Sequence, residues 1–129
     1  FRGWLNKISD DEEMELNDLK QQIKQLDNSI ESIEANGDLI EISVFNYLLK
    51  AKKGKYPLDP VARFHLGNGA SIYQLNRSAD LSEKGIKQSW GTMVNYLYDL
   101  NDIEENHERY ATEGVIEYSE KLKTLLIKN

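Results

Sequence analysis

Apolar positions recur with a helical period over residues 9–35, where Leu16, Leu19, Ile23, Leu26, Ile30 and Ile33 alternate spacings of three and four. That is the a/d seam of one long helix. Ser9 with Glu12 forms a capping box, and Asp10, Asp11, Glu12 and Glu13 put negative charge on the positive end of the dipole. Asn36-Gly37 supplies the stop. The seam reads as a coiled coil joining a partner or a second copy, or as a helix resting one edge on its own domain. It is short for a free-standing coiled coil.

A second helix is expected over 38–53, with Leu39, Ile42, Phe45 and Leu49 on one face. It closes in Lys50, Lys52, Lys53 and Lys55 around Gly54. Those cations suit a bound phosphate, and equally the negative end of a helix dipole in solvent. Beyond Pro57 and Pro60, residues 61–66 (VARFHL) and 70–75 (ASIYQL) read as two strands of a hairpin turning at Gly67-Asn68-Gly69. Alternation places Phe64 and Leu66 on one side and Arg63 and His65 on the other. From these residues alone, His65 is either a core histidine near a bend or chemistry delivered to a strand end.

Ser82 starts a third helix, running to about Leu100, with Ile86, Trp90, Met93, Leu97 and Leu100 as its buried stripe. Gly91, Asn95 and Tyr98 then share a neighbouring stripe. That face either approaches and hydrogen-bonds a ligand or packs through glycine with Tyr98 as filler. A last helix is expected over 114–127, burying Val115, Tyr118, Leu122, Leu125 and Leu126. No internal repeat is visible.

The bulk numbers narrow the class. A chain of 129 residues with 40% hydrophobic and 29% charged positions is globular, and fits one domain or part of one. A net charge of −6 lacks the basic face of a nucleic-acid binder. With no cysteine, disulfides, a thiolate nucleophile and a Cys-type zinc site drop out. No apolar run approaches the roughly 20 residues of a membrane span, and no signal peptide is visible, so a cytoplasmic protein without membrane contact is expected. The opening FRGWL begins without Met or cap, leaving Trp4 and Leu5 in search of partners. It reads as part of a longer polypeptide.

Three stretches carry a more specific signal: DPVARFHLGNGA at 59–70, the N-x-x-AD of Asn76, Ala79 and Asp80, and S-x-G-x-MVNYLYDL from Ser89. In mutual spacing they resemble the C-terminal part of malonyl-CoA decarboxylases, over residues 57–111 and more weakly on either side. One departure is Arg77, where the family usually has an aromatic residue. The opening FRGWL resembles a family stretch that follows a Ser-Pro-x-Pro-Gly segment bearing the catalytic serine. That segment is not in this chain, nor is the coenzyme A pyrophosphate loop.

The resemblance implies an α/β (α+β) fold, the C-terminal half of a GNAT-like (acetyltransferase-like) domain. Residues 1–56 would form a helical segment and 57–129 a strand and helix segment bearing the histidine. It implies a carboxy-lyase converting malonyl-CoA to acetyl-CoA and CO2 with no metal or organic cofactor. His65 and Tyr98 align with catalytic positions of the family, while Asn68 and Asn95 are expected to bind substrate. His107 inherits no role, and the backbone N–H groups of the Gly67–Gly69 turn are natural extra donors. The expected partners are malonyl-CoA and acetyl-CoA, the rest of the polypeptide before Phe1, and further copies in a homo-oligomer. The rival reading is a non-catalytic helical module for oligomerisation or interaction, driven by the heptad seam.

Overall fold

The computed structural model describes residues 1–7 and 14–127. In chain order the helices are α1 (Arg2–Lys7), α2 (Met14–Ile23), α3 (Ile30–Ala35), α4 (Gly37–Lys50), α5 (Pro60–Gly67), α6 (Glu83–Ser89) and α7 (Ile103–Glu113). The strands are β1 (Lys52–Lys53), β2 (Tyr56–Pro57), β3 (Ser71–Asn76) and β4 (Met93–Leu97), and a 3-10 helix spans Glu120–Leu125. β1 pairs with β2, and β3 with β4. This mixture of helices and small sheets is α+β. The chain divides into two compact units, Phe1–Tyr47 with Leu75–Met93 and Leu125–Asn129, and Leu48–Gln74 with Val94–Thr124.

In the first unit the expected long helix is two. α2 ends at Ile23, and α3 starts only at Ile30. Between them the Asp27 carboxylate accepts from the Ser29 N–H at 2.8 Å, and the Ser29 hydroxyl caps α3 by accepting from Ser32 N–H at 3.1 Å. Short polar side chains that bond their own backbone outcompete continuation of the helix. The seam is split accordingly: Leu19, Ile23 and Ile33 are buried, Leu26 is half-buried and Ile30 is 49% exposed. The capping box at Ser9–Glu12, the charges up to Glu13 and the side chain of Leu16 lie outside the described residues.

Asn36 does end α3, its amide donating to the Ser32 carbonyl at 2.7 Å, and α4 starts at the next residue. α4 stops at Lys50, short of the expected 53, and Lys52–Lys53 pair with Tyr56–Pro57 as an antiparallel hairpin instead. Its buried side includes Ile40, Val44 and Phe45 together with Ser43 and Asn46. Both polar groups are satisfied, as most buried ones are. Ser43 donates to the Leu39 carbonyl at 2.8 Å, and Asn46 donates to the Ile42 and Leu125 carbonyls at 2.7 and 2.9 Å. The opening residues find aromatic partners: Phe1 lies 5.4 Å from Tyr47 and 5.6 Å from Trp90, and Trp4 lies 5.7 Å from Tyr47. Arg77, standing where the resembled family usually has an aromatic, pairs with Asp38 and Glu41 of α4 across Gly37.

The expected third helix is also cut short. Ser82 caps α6 as expected, accepting from Gly85 N–H at 3.1 Å, but the helix ends at Ser89. Trp90 (φ 49°) and Gly91 (φ 84°) turn left-handed, and Gly91 N–H closes on the Gly85 carbonyl at 3.1 Å. This is a glycine-assisted helix stop. The residues after it, MVNYL, include β-branched Val94 and aromatic Tyr96 and form β4. Gly91, Asn95 and Tyr98 therefore do not share a helix face. Of the expected stripe Trp90 is buried, whereas Met93, Leu97 and Leu100 are exposed, the last at 90%.

The second unit contains the largest correction. Residues 61–66 are not a strand but the body of α5. Asp59 accepts from Ala62 N–H at 2.9 Å and Pro60 takes the first helical position, a start signal that outweighs the alternation of VARFHL. The helical period buries Ala62 and Leu66 and leaves Val61 and Phe64 56% and 64% exposed. Gly67-Asn68-Gly69 is the end of this helix rather than a hairpin, while β3 follows where the second strand was expected.

α7, unforeseen in the pattern, packs on α5 and buries Tyr110, whose ring stacks on Tyr56 at 4.9 Å. Lys55 donates to the Thr112 carbonyl at 3.1 Å near the end of α7, so one cation of the lysine cluster serves a helix C-terminus, though not the one expected. The expected last helix is absent. Beyond Gly114, Tyr118 bridges Ile72 in parallel, and a 3-10 helix follows among the described residues, burying Leu122.

Two measurements check this account. Ile33→Ala should cost about 2–5 kcal/mol in urea unfolding, whereas Ile30→Asp, at an exposed position, should stay within about 0.5 kcal/mol. A continuous buried seam would make both severe. Burial first, then the neighbouring Tyr56, raises the Tyr110 phenol above its ordinary value, with Arg63 opposing. The neutral form is thus favoured by folding. Its contribution is full below about pH 10 and is lost as pH rises through the higher folded value. Tyr110→Phe should flatten the alkaline fall in the urea midpoint between about pH 9 and 11; an unchanged fall would assign it elsewhere.

Candidate active site

His65 occupies the last turn of α5, and the end of that helix is heavily bonded. Asn68 and Ala70 N–H both donate to the His65 carbonyl at 3.1 Å, and Gly69 N–H donates to the Leu66 carbonyl at 3.1 Å. The turn's N–H groups at Asn68 and Gly69 therefore close the helix and are not spare donors for a ligand, as had been expected. Gly69 sits at φ 91°, and a Cβ there would meet the Ile103 carbonyl oxygen. Only glycine serves both demands.

From α7, His107 Nδ1 lies 2.7 Å from the Gly67 carbonyl and Asn106 donates to the Gly69 carbonyl at 3.2 Å. A carbonyl only accepts, so His107 carries its proton on Nδ1. Adjacent residues of one helix thus tie down the end of another. His107 has a structural use.

β4 and the residue after it bring up the other side. Tyr98 Oη lies 2.6 Å from His65 Nδ1. Two residues earlier, Tyr96 stacks on the imidazole with centroids 4.4 Å apart and planes at 19°. Phe64 meets the same ring edge-on at 5.1 Å. The remaining nitrogen of His65, Nε2, has no hydrogen-bond partner among the described residues. If the phenol donates to Nδ1, Nε2 carries a proton to give; if Nδ1–H donates to the phenol, Nε2 is an acceptor. The pair can present either form outward.

The structure brings the His65 and Tyr98 side chains together, whereas neither asparagine side chain hydrogen-bonds to them among the described residues. Asn68 is exposed and spends its amide on the Phe64 carbonyl at 2.9 Å, capping α5. Asn95 lies between Val94 and Tyr96 in β4, so alternation sends it to the face opposite Tyr96. On that opposite face Leu97 lines a separate polar cavity of about 350 Å3 with Tyr73, Asp102, Arg109 and Glu117. Sequence reasoning missed Tyr96, Asn106 and His107 as neighbours of the site. The signal for Tyr96 was available once β4 is a strand, since residues 96 and 98 then share a face.

A family model described as "Malonyl-CoA decarboxylase C-terminal domain" matches residues 1–129. Mitochondrial malonyl-CoA decarboxylase of the goose Anser anser anser is 43% identical over 76 residues, covering 59% of this chain and 15% of the goose protein. The Rattus norvegicus enzyme is 42% identical over 80 residues, covering 62% and 16%. Among solved structures, malonyl-CoA decarboxylase from Rhodopseudomonas palustris superposes with TM-score 0.79 at 34% identity, covering 98% of this chain and 31% of that one. The Agrobacterium vitis enzyme gives 0.77 at 35%, covering 99% and 33%. This chain thus spans about a third of those solved chains and a smaller part of the curated relatives. With the likeness extending over its whole length, the chain belongs to the malonyl-CoA decarboxylase C-terminal domain family.

Proposed function

We propose that this domain supplies the histidine and tyrosine of a malonyl-CoA decarboxylase active site, in which malonyl-CoA is converted to acetyl-CoA and CO2. One observation carries the reading: Tyr98 holds His65 Nδ1 at 2.6 Å and leaves Nε2 for a ligand, in a chain of this family.

The chemistry sets the roles. The bond between C2 and the carboxylate carbon breaks, CO2 leaves, and the electron pair stays on C2, delocalised onto the thioester oxygen. That oxygen needs a donor, and C2 then takes one proton. His65 Nε2–H meets either need, its proton restored from solvent after each turnover. Imidazole suits this because its reference pKa of about 6.5 keeps both forms accessible near neutrality. An oxyanion donor is typically worth about 10²–10³ in rate and a positioned acid about 10²–10⁴. The Ser-Pro-x-Pro-Gly segment of the resembled family, absent from these residues, would complete the site. Asn68 keeps its side-chain oxygen and its second amide N–H for a substrate contact, and Asn95 needs a ligand that reaches the far face of β4.

The acetyltransferase-like plan and a homo-oligomer belong to the same proposal, the first supported by the mixed helix and sheet content. The cytoplasmic reading does too, although the goose, rat and mouse relatives are named mitochondrial. No helix among the described residues is long and apolar enough to cross a membrane. The rival interaction module draws less support, because Leu19, Ile23 and Ile33 of the seam are buried.

In the full-length protein His65→Asn should lower kcat on malonyl-CoA by about 10²-fold or more, with far less effect on coenzyme A affinity and little change in Tm. Tyr98→Phe should cost less, since it removes one hydrogen bond and keeps the ring. A His65→Asn protein with parental kcat and a Tm many degrees lower would make His65 a packing residue and end the proposal.

A further inference from the structure

Two side chains of one strand region hold the His65 ring, and only Tyr98 does so by a hydrogen bond. Tyr96 offers its face. We propose that Tyr96 is a positioning residue for His65, fixing the plane of the imidazole so that Nε2 presents itself to substrate in one orientation. The inference rests on the reading of His65 as the reacting group.

The geometry divides the work. A hydrogen bond at Nδ1 pins one point of the ring, 2.6 Å from Tyr98 Oη, and leaves it free to swing about that contact. Near-parallel stacking at 4.4 Å and 19° removes the swing, because rotating the imidazole out of plane would drive it into the phenol face or open a gap beside it. Tyr96 is itself half-buried in β4, between exposed Asn95 and exposed Leu97, so its ring meets the imidazole from a strand and not from a loop. Phe64, 64% exposed, approaches edge-on from the preceding residue and cannot define the plane in the same way. The spacing of 96 and 98 is what lets one backbone segment deliver both constraints, since alternate residues share a face. The imidazole arrives from another element, at the end of α5.

The role predicts a split that simple packing does not. In the full-length protein Tyr96→Phe and Tyr96→Trp keep an aromatic face and should retain kcat within about threefold, whereas Tyr96→Leu should lower kcat roughly 10- to 100-fold with KM within about twofold. Histidine labelled with 13C at Cε1, its His65 signal assigned by loss in His65→Asn, should show a held ring in the parent and a mobile one in Tyr96→Leu. A Tyr96→Leu protein with parental kcat, beside a His65→Asn protein that has lost it, overturns the role of Tyr96 alone. Parental kcat in His65→Asn overturns the reading beneath it and this inference as well. If Tyr96→Leu does not fold, ring motion in the parent decides: a freely reorienting imidazole overturns the proposal, and a held one supports it.

Discussion

The carbonyl oxygen of His65 is where α5 ends. Two N–H groups, from Asn68 and Ala70, converge on it, so the peptide that bears the imidazole is also an acceptor in the helix's closing turn. The side chain's direction is therefore set by how the helix terminates. That termination needs the left-handed Gly69, and it is held from outside by His107 and Asn106 of α7. α7 is fastened in turn by the Tyr56–Tyr110 stack and by Lys55 at its C-terminal carbonyl. A small ring on a short helix thereby inherits the rigidity of most of its unit. Placement of this kind has to come before any hydrogen bond from Tyr98 can be short.

Local chemistry was legible wherever one side chain decides the matter. Ser82 as a cap, Asn36 as a stop and a strand at 70–75, found at 71–76, follow from signals within a few residues. The errors came where two local rules compete. VARFHL alternates like a strand, yet Asp59-Pro60 ahead of it starts a helix, and Ala62 and Leu66 at a spacing of four then find the core. The heptad seam ignored Asp27 and Ser29, whose side chains bond the backbone and break the helix. Trp90-Gly91 ended a helix that apolar periodicity carried straight through.

The site was readable to a different depth. Family likeness nominated His65 and Tyr98, residues 33 apart in sequence that lie within a hydrogen bond in the structure. Tyr96, Asn106 and His107 act through contacts formed only after β4 and α7 dock on α5. No periodicity within one stretch can announce such partners. The asparagines show the converse: Asn68, near the motif, already gives one amide N–H to the helix it terminates, which no local pattern announces. Arg77 shows how a departure from the resembled pattern is absorbed, with carboxylates of α4 taking up its guanidinium.

The segment beyond Gly114 has a role that its lack of regular structure hides. Both backbone groups of Ile72 are taken by it, Ile72 N–H donating to the Glu117 carbonyl and Ser119 N–H donating to the Ile72 carbonyl, each at 2.9 Å. The Ser119 hydroxyl adds a bond to the Tyr73 carbonyl at 2.7 Å. Ile72 is fully buried, so this segment is a sealing strip along β3. Removing it would bare a hydrogen-bonding edge with an apolar side chain at its centre, the kind of surface on which chains add to one another. The segment thus protects β3 as an extra edge strand would, and removing it would open that edge to self-association.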